Sequence, residues 1–328
     1  MRQMGRSMLA VALSGMFSSM AAVAQDRVEA QWLERLQSEG RAAMRNYEET
    51  VRRIEEVSEL TYRQVAGERN VIPIQEKTVK RRLVRVEGNV LLEQSVVFEG
   101  SKEGPLLRLE CVNERYSFTL GRASEESAYM LTDYREGAYE WLMPPTAGLH
   151  YEAYEAIQGL LKAVDGGGKL LALEWDDERQ LVRAKYQKVG GGGKVDLTNE
   201  VWLDPQYHWR VVEERRTTPT ATGVTQFHYG HAIGDLTFPV EMVAITTYKI
   251  PGAPVLRVEG RTSRIQRANL PVEHFYMSHY GLPEPVGVVW ERRTPVYVWL
   301  LVAAGVLLTL ALVFRWLARR LRHGPSEG

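Results

Sequence analysis

An alternation of apolar and polar residues with a period of two runs through most of the chain between Glu59 and Arg267. In the stretch RYSFTL it places Tyr116, Phe118 and Leu120 on one face of an extended strand. Long strands at short spacing, with turn residues between them, predict an antiparallel meander. Thirteen segments carry the pattern: 59–67, 74–87, 89–99, 105–112, 115–121, 127–134, 170–176, 179–188, 195–203, 207–218, 223–230, 239–250 and 255–267. We expect some of them to merge or prove irregular.

Two segments have a helical period instead. In the first, from Asp26 to about Val57, apolar residues recur at steps of three, four or seven, and Gly40 is expected to bend or split the helix. The second runs from Gly148 to Val164. We therefore predict a mainly β fold of the α+β class, in which a single large curved antiparallel sheet, or half-barrel, has two helices against its concave face.

The first 24 residues have the three parts of a secretory signal peptide. Arg2 and Arg6 supply the basic start, an apolar centre follows, and Ala22-Val23-Ala24 places small residues at the cleavage site. We expect cleavage after Ala24 and export of the body of the protein, an extracytoplasmic domain of residues 25–268.

A second apolar run, VYVWLLVAAGVLLTLALVF, occupies residues 296–314 and contains neither a charge nor a proline. At about 1.5 Å per residue, a helix of this length comes close to the roughly 30 Å hydrocarbon thickness of a bilayer. We expect a C-terminal transmembrane helix here, reached through a proline-bounded linker of residues 269–295 and followed by a short basic cytoplasmic tail, 315–328. The residues expected to anchor it at the membrane are Trp299, Trp316, Arg315, Arg319, Arg320 and Arg322.

The distribution of charge sets the expected orientation and excludes one class of partner. The arginine-rich tail stays on the cytoplasmic side by the positive-inside rule, which agrees with export by the signal peptide. We therefore expect a single-pass protein of the cytoplasmic (inner) membrane with its large domain outside and its C-terminus in the cytoplasm. Without the six arginines of the two ends and Glu327, 35 basic and 40 acidic residues remain, so we expect no nucleic-acid partner.

Motifs for known chemistry are missing from the sequence. It has no G-x-S-x-G nucleophile elbow, no H-E-x-x-H zinc motif and no Rossmann fingerprint. The lone Cys111 lies in a strand-like run that favours a buried thiol. His228 and His231 have a metal-ligand spacing, but residues three apart on a strand point to opposite faces. We predict no catalytic residue, no metal site and no cofactor, and we place the acid pair at 213 and 214 on a strand surface.

Aromatic residues are spread over several of the predicted strands. On the concave side of a half-barrel they would fill a core or line a cavity for an apolar ligand. The second helix, which follows the stretch WLMPPTAG, is predicted to act as a lid, with Tyr151, Tyr154 and Ile157 as its candidate contact residues. The candidates for the cavity are Tyr116, Phe118, Trp209, Phe227, Tyr229 and Tyr248.

The phrase VWLDPQYHWRVVEER, residues 201–215, carries a family resemblance. It places an Asp-Pro turn at 204–205 and begins the next strand with Trp209, Arg210 and Val211, and FPVEMVAIT resembles the strand that follows. Over residues 28–267 the chain resembles the periplasmic lipoprotein-carrier superfamily, the LolA/LolB-like half-barrel that includes RseB-type domains. The resemblance implies a half-barrel and a non-enzymatic role, whereas the expected membrane helix departs from soluble carriers and disfavours a shuttling role.

Three functions from different classes follow from these features. The leading hypothesis is a non-enzymatic, membrane-anchored extracytoplasmic domain that binds an apolar ligand, namely a lipid, an acyl chain or a lipoprotein. The alternative is a protein-interaction or envelope-sensing module of RseB type with an envelope protein as partner. The third is a hydrolase whose site residues are scattered in sequence. An apolar concave face would favour the first, and convergent acids or histidines in a pocket would favour the third.

Overall fold

The computed structural model describes residues 29–68, 75–101, 104–137, 148–189, 195–285 and 296–322. Helix α1 spans residues 29–51 and contains a π turn, Leu36–Gly40, so the helix is distorted where Gly40 was expected to bend it. It ends at Val51 and not near Val57, because the next strand already begins at Arg53. Helix α2 is Leu149–Lys162, followed by a π turn at Ala163–Gly167, and helix α3 is Val296–Arg322.

Thirteen strands lie in the described part of the chain, and all belong to one antiparallel sheet. The expectation that some of the thirteen predicted segments would merge was therefore wrong, because each hairpin has its own turn, such as the left-handed Gly234 between two long strands. The strands are β1 Arg53–Ala66, β2 Lys77–Val86, β3 Asn89–Phe98, β4 Leu106–Val112, β5 Tyr116–Arg122, β6 Met130–Glu136, β7 Lys169–Asp176, β8 Leu181–Val189, β9 Val195–Asp204, β10 Arg210–Thr217, β11 Ala221–Ile233, β12 Leu236–Tyr248 and β13 Val255–Arg267.

The order across the sheet is β6-β5-β4-β3-β2-β1-β13-β12-β11-β10-β9-β8-β7. Two meanders, β1–β6 and β7–β13, therefore meet where β1 pairs with β13, from Ile54 opposite Arg267 to Ala66 opposite Val255. The connection that contains α2 leads from β6, at one end of this order, to β7 at the other.

One face of the sheet packs against α1 and α2. The main buried cluster combines helix residues such as Leu36 and Ile157 with residues of strands from both meanders, including Leu60 and Leu173, and Val96 of β3 packs against it. Strands β3 and β7 are nine positions apart in the sheet, so the sheet must curve around the helices to bring both to one cluster. The predicted architecture, one curved sheet with two helices on a single face, is confirmed in this respect.

The opposite face carries a second apolar layer. Glu55, Val84, Leu91, Cys111 and Phe118 are successive lateral partners, so their side chains share one face, and Glu55 is adjacent to a residue that contacts α2. We call this the outer face. Leu91, Cys111 and Phe118 on this face are almost completely buried, and burial raises the pKa of the Cys111 thiol, which is 1% exposed.

Residues 272–280 cover this part of the outer face, although we expected them in a linker. They form two short 3₁₀ turns, Val272–Phe275 and Met277–Tyr280. Phe275 is 0% exposed, and its carbonyl oxygen accepts a hydrogen bond of 2.8 Å from Asn113 Nδ2. The hydroxyl of Tyr116 accepts a hydrogen bond of 3.2 Å from the Met277 backbone N–H. A segment without sequence periodicity is thus part of the domain, which extends to Pro283.

Residues 284–328 form a second compact unit. The described part of it is residues 284–285 and α3, on which Leu300, Leu307, Phe314 and Arg315 are exposed. Within the described residues, no helix has the combination of length and apolar character that crossing a membrane requires. The signal peptide predicted for residues 1–24 and the side chains of Trp299, Trp316, Arg319, Arg320 and Arg322 lie outside what the structure describes.

Replacing Phe275 by Ala is expected to lower the free energy of unfolding by about 3–5 kcal/mol, because it empties a buried aromatic site between residues 272–280 and the outer face. Denaturant unfolding of the full chain, followed by tryptophan fluorescence, measures this loss. The control is Val272→Ala in the same turn, where the side chain is 41% exposed and the expected change is about 0.5 kcal/mol or less. Equal small effects of both changes would mean that the segment does not contribute to the stability of the domain.

Candidate functional site

Helix α2 lies on the concave face and covers its apolar centre. The helix has 14 residues and is therefore about 21 Å long. The sheet residues beneath it include Leu60, Val201, Leu203 and Met242, all part of the same cluster. The side chains that α2 buries are those of Leu149, His150, Ala153, Ala156, Ile157, Leu160 and Leu161.

Two glycines allow α2 to approach the sheet closely. A Cβ atom on Gly159 would lie 2.5 Å from the Tyr186 hydroxyl of β8, and one on Gly260 of β13 would lie 2.5 Å from Leu149 Cδ2. Both distances are shorter than any normal van der Waals contact. The contact between α2 and the sheet, which we call the seat of the helix, is therefore close at the first turn of the helix and again near its last turn.

A buried carboxylate on β1 holds the first turn of α2. Glu56 is 1% exposed, and its Oε1 accepts a hydrogen bond of 2.9 Å from the backbone N–H of Leu149. Its other oxygen pairs with His150 Nδ1, and that histidine is also buried. Burial alone would raise the pKa of Glu56, but the positive charge and hydrogen bond of His150 and the Leu149 N–H together lower it below 4.5. The carboxylate thus replaces the capping side chain that Gly148 lacks.

A small apolar pocket of about 60 Å³ lies on one side of α2, between α1, α2 and β10–β12. Four of the predicted site residues line it: Trp209, Tyr229, Tyr154 and Ile157. Tyr154 stacks on Tyr47 of α1 with 4.5 Å between ring centroids. A volume of this size admits a few water molecules and is too small for an acyl chain. With α2 in this position, the concave face is a packed core.

The remaining predicted site residues have three different positions. Phe227 is buried in the main cluster, and Tyr248 is half-buried near the end of β12, outside the lining of the small apolar pocket. Tyr151 lies on α2, with its ring 6.0 Å from that of Tyr154. Tyr116 and Phe118, in contrast, face the outer layer and contact Tyr276 and Tyr280. The alternation of apolar and polar residues places Tyr116 and Phe118 on the same face of their strand, but it does not show which face of the sheet the helices cover.

The turn before β10 differs in detail from the predicted one. Trp209 belongs to the turn and not to the strand, which begins at Arg210. His208 and Trp209 both have left-handed backbone angles, with φ of 59° and 58°. Such a conformation costs about 1–3 kcal/mol for a residue other than glycine, and here it accompanies complete burial of the indole, whose Nε1 donates to Glu39 Oε2 at 3.3 Å.

The other side of α2 is polar, and two clefts follow it. One cleft, of about 170 Å³, is lined by residues near the start of the helix, including Glu152 of α2 and Arg81 of β2. The second, of about 190 Å³, is lined by residues near its end, including Glu155. We call this side the polar flank and define it by the side chains of Glu152, Glu155, Tyr186, Asn199, Glu214 and Arg216.

The acid pair at 213 and 214 was predicted to lie on a strand surface, and the structure corrects this. Glu214 is 1% exposed and forms an ion pair of 2.8 Å with Arg216 Nε on the polar flank. Glu213 lies on the outer face, is 5% exposed, and pairs with Arg215 and Arg179. Each carboxylate is buried with a charged partner, so the two act in separate clusters.

The described residues contain no group of three or more His, Cys, Asp or Glu side chains that could hold a metal ion. His231 contacts the carbonyl oxygen of Thr262 at 3.2 Å, whereas His228 is exposed. The rings of His274 and His279 lie 3.8 Å apart, and burial together with the charge of His279 lowers the pKa of His274. These histidines therefore belong to separate local contacts.

Comparison with known proteins finds only remote similarity. No protein-family model and no curated protein matches the chain. It is similar in structure to a LolA superfamily protein from Nitrosomonas europaea, with 10% identity and a TM-score of 0.39, over 73% of this chain and 98% of that one. It is also similar to a β-barrel-like protein of unknown function from Brucella abortus, with 8% identity and a TM-score of 0.24, over 66% and 98% of the two chains. At these values the comparisons assign neither a family nor a ligand.

Replacing Glu56 by Gln is expected to destabilise the fold by about 3 kcal/mol near neutral pH, because it removes the buried carboxylate that contacts both the Leu149 N–H and the His150 ring. Since the pKa of Glu56 is lower in the folded state, its contribution is present above the ordinary value of 4.5 and is lost as the pH falls through the folded value. The difference from the wild type should therefore shrink in acid. Chemical unfolding of both proteins over a pH series measures it, with the exposed Glu59→Gln on the same strand as control.

Glu152 should show the opposite dependence on pH. Burial first, and then the charges of Glu155 and Glu214, raise its pKa from 4.5 to about 7. Its ionised form is therefore disfavoured in the folded protein, and stability is lost as the pH rises from about 4.5 through about 7. Glu152→Gln should match the wild type near pH 5 and be more stable by about 1–3 kcal/mol near pH 8. Thermal unfolding measures the gain, and an equal gain at both values of pH would contradict the assigned cause.

Proposed function

We propose that this protein is a non-enzymatic, membrane-anchored extracytoplasmic domain that binds an apolar ligand on the concave face of its sheet, with α2 as a displaceable cover. The ligand is an acyl chain, either of a lipid or of a lipoprotein. The observation that carries the proposal is the position of α2, a helix that packs beside α1 on an apolar face formed by strands of both meanders.

Displacement of α2 leaves the hydrogen bonding of the sheet intact. All thirteen strands pair with one another, and α2 contributes no strand to that order. After the helix the chain passes through Gly166–Gly168, where Gly166 has the left-handed φ of 86°. Glycines permit large changes of backbone angle at low cost, which suits a connection that must move with the helix.

The apolar part of the energetic exchange between helix and ligand is close to balanced. Removing α2 exposes six apolar side chains, of which four are larger than alanine, so the cost is on the order of 10 kcal/mol. An acyl chain of roughly twelve methylenes regains about as much, at about 0.8 kcal/mol for each buried methylene. A ligand much shorter than this would not compensate for the loss of the helix.

The anchor belongs to the same proposal. The uncharged run at 296–314 and the arginines that follow it support a single span of the inner membrane with the sheet outside and the C-terminus in the cytoplasm. A ligand-binding domain held in this way would take up or release its ligand at that one membrane. Protease protection of the C-terminal tail in intact spheroplasts tests the orientation.

A second candidate function is supported by a groove on the outer face. It has a volume of about 720 Å³ and crosses β2, β1, β13 and β12. Lys80, Glu59, Arg261 and Glu241 are successive lateral partners along it, so charges of alternating sign form a row. Such a row suits an envelope protein with the complementary pattern, as expected for an interaction or sensing module. Crosslinking in membranes would then yield one stoichiometric protein partner.

The ligand proposal is tested by loosening the seat of α2. Gly159→Ala places a methyl group within 2.5 Å of the Tyr186 hydroxyl, so the helix or the Tyr186 ring must shift and their contact is weakened, even though alanine favours helix formation. We expect the full chain in nanodiscs to bind 1-dodecanol about tenfold more tightly after this change, equivalent to about 1.4 kcal/mol. Isothermal titration calorimetry, with the signal of empty nanodiscs subtracted, measures the dissociation constants.

The matched control is Gly223→Ala on β11, where the added methyl group has only ordinary contacts of 3.7 Å or more. It should leave the affinity unchanged. If neither the wild type nor the Gly159 variant binds the alcohol more than empty nanodiscs do, the concave face is a permanent core and the proposed function is wrong.

A further inference from the structure

Three polar side chains of the polar flank belong to the sheet and are almost completely buried. Glu214, Asn199 and Tyr186 are between 1% and 4% exposed. Asn199 Nδ2 donates to the Tyr186 hydroxyl at 2.8 Å and to Glu214 Oε1, and the Tyr186 hydroxyl donates to the Ala156 carbonyl oxygen of α2 at 3.1 Å. These residues occupy β8, β9 and β10, next to one another in the sheet.

One acceptor of this group is unsatisfied. Asn199 Oδ1 is buried and has no hydrogen-bond partner among the described residues. The amide cannot be reversed without loss, because Nδ2 already faces the Glu214 carboxylate, which only accepts. A buried acceptor without a donor costs about 1–3 kcal/mol, so Asn199 favours a ligand that brings an N–H or O–H group to this cleft.

The charges of the polar flank are mixed, and the carboxylates lie closest to Arg216 and α2. Arg216 contacts two carboxylates, Glu214 at 2.8 Å and Glu155 at 3.4 Å, and Glu152 is a third carboxylate on the adjacent turn of α2. Lys162 and Lys188 line the same cleft as Arg216 but are exposed at its rim, and Arg81 lines the neighbouring cleft. A positive charge that enters the flank would meet more carboxylates than guanidinium groups at close range.

The chemistry of these residues narrows the class of ligand. An anion at Arg216, Lys162 or Lys188 would leave Asn199 Oδ1 without a donor, and at Arg216 it would also lie beside Glu155 and Glu214. The described residues also form no set that could hold a metal ion. A primary ammonium group carries one positive charge and three N–H donors, which matches carboxylates together with an amide oxygen.

We propose that the polar flank of α2 is a subsite for a primary ammonium group carried by an amphiphile whose apolar chain lies on the concave face. This inference rests on the proposed function, because it places the head group of the same ligand. The two clefts adjoin α2, and the one at its start is lined by both polar and apolar residues, among them Glu152, Leu60 and Met242. A chain that lies on Leu60 and Met242 would thus reach the polar flank at Glu152.

The test compares two probes with the same twelve-carbon chain, dodecylammonium and 1-dodecanol. The full chain in nanodiscs of zwitterionic lipid is titrated with each probe by calorimetry near neutral pH, and the signal of empty nanodiscs is subtracted. We expect the ammonium probe to bind at least tenfold more tightly than the alcohol. The ratio of the two dissociation constants isolates the head group, because both probes displace α2 to the same extent.

The variant Glu152→Gln combined with Glu155→Gln should bring this ratio close to one while the alcohol still binds. The control, Glu34→Gln combined with Glu49→Gln, removes the same charge from exposed positions of α1 and should keep the wild-type ratio. A wild-type ratio within about twofold of one, or a preference that persists without Glu152 and Glu155, overturns the subsite but leaves apolar binding standing. Failure of both probes to bind overturns the proposed function and the subsite with it.

Discussion

The pairing of β1 with β13 is the interaction on which the rest of the structure depends. It joins two meanders that would otherwise be separate sheets, and it places β6 and β7 at opposite ends of one thirteen-strand order. Twelve strand spacings of about 4.8 Å separate these two edges along the curved sheet. The chain between them must therefore cross the sheet, and a path over the concave face is shorter than one around the outside. The position of α2 over the apolar face follows from strand order.

The seat of α2 combines a large apolar contact with features that limit its stability. The Glu56–His150 pair fixes the start of the helix, and two glycines permit close contact with the sheet. The polar flank has the opposite character, since it buries a glutamate with a raised pKa and an unsatisfied amide oxygen. Helix α2 is thus fixed at its start by the Glu56–His150 pair and destabilised along its polar flank. Such a helix is suited to move when a ligand supplies compensating contacts.

Much of this fold could be predicted from the local sequence pattern, because apolar and polar residues alternate along the whole length of a strand that buries one face. Periodicity indicated a segment for each of the thirteen strands and for both helices, although we expected some strands to merge, and the glycine at position 40 indicated the distortion. Which face the helices cover does not, so Tyr116 and Phe118 were assigned to the wrong layer. The segment 272–280 has no period and is held by backbone hydrogen bonds to Asn113 and Tyr116, which only the tertiary structure reveals.

The candidate site was partly visible in the same pattern. Glu56 occupies the phase of Ile54 and Leu60, and Asn199 occupies that of Val201, so each is a polar residue at a position where the alternation expects an apolar one. Glu214 gives no such signal, because a register shift between Val211 and Glu213 changes the phase of β10. The hydrogen-bond partners of Glu56 on α2 and those of Asn199 lie more than ten positions away in sequence, and no local pattern indicates them.

The most direct test of the account is the distance between α2 and the sheet with and without ligand. Spin labels at Lys162 of α2 and Asp196 of β9, in a full chain with Cys111 replaced by Ala, report this distance by pulsed electron paramagnetic resonance. Labels at Arg45 of α1 and Asp196 serve as the reference. We predict that saturating dodecylammonium lengthens the first distance and leaves the second unchanged. Binding of the amphiphile with both distances unchanged would show that α2 does not move, and the central claim would be contradicted.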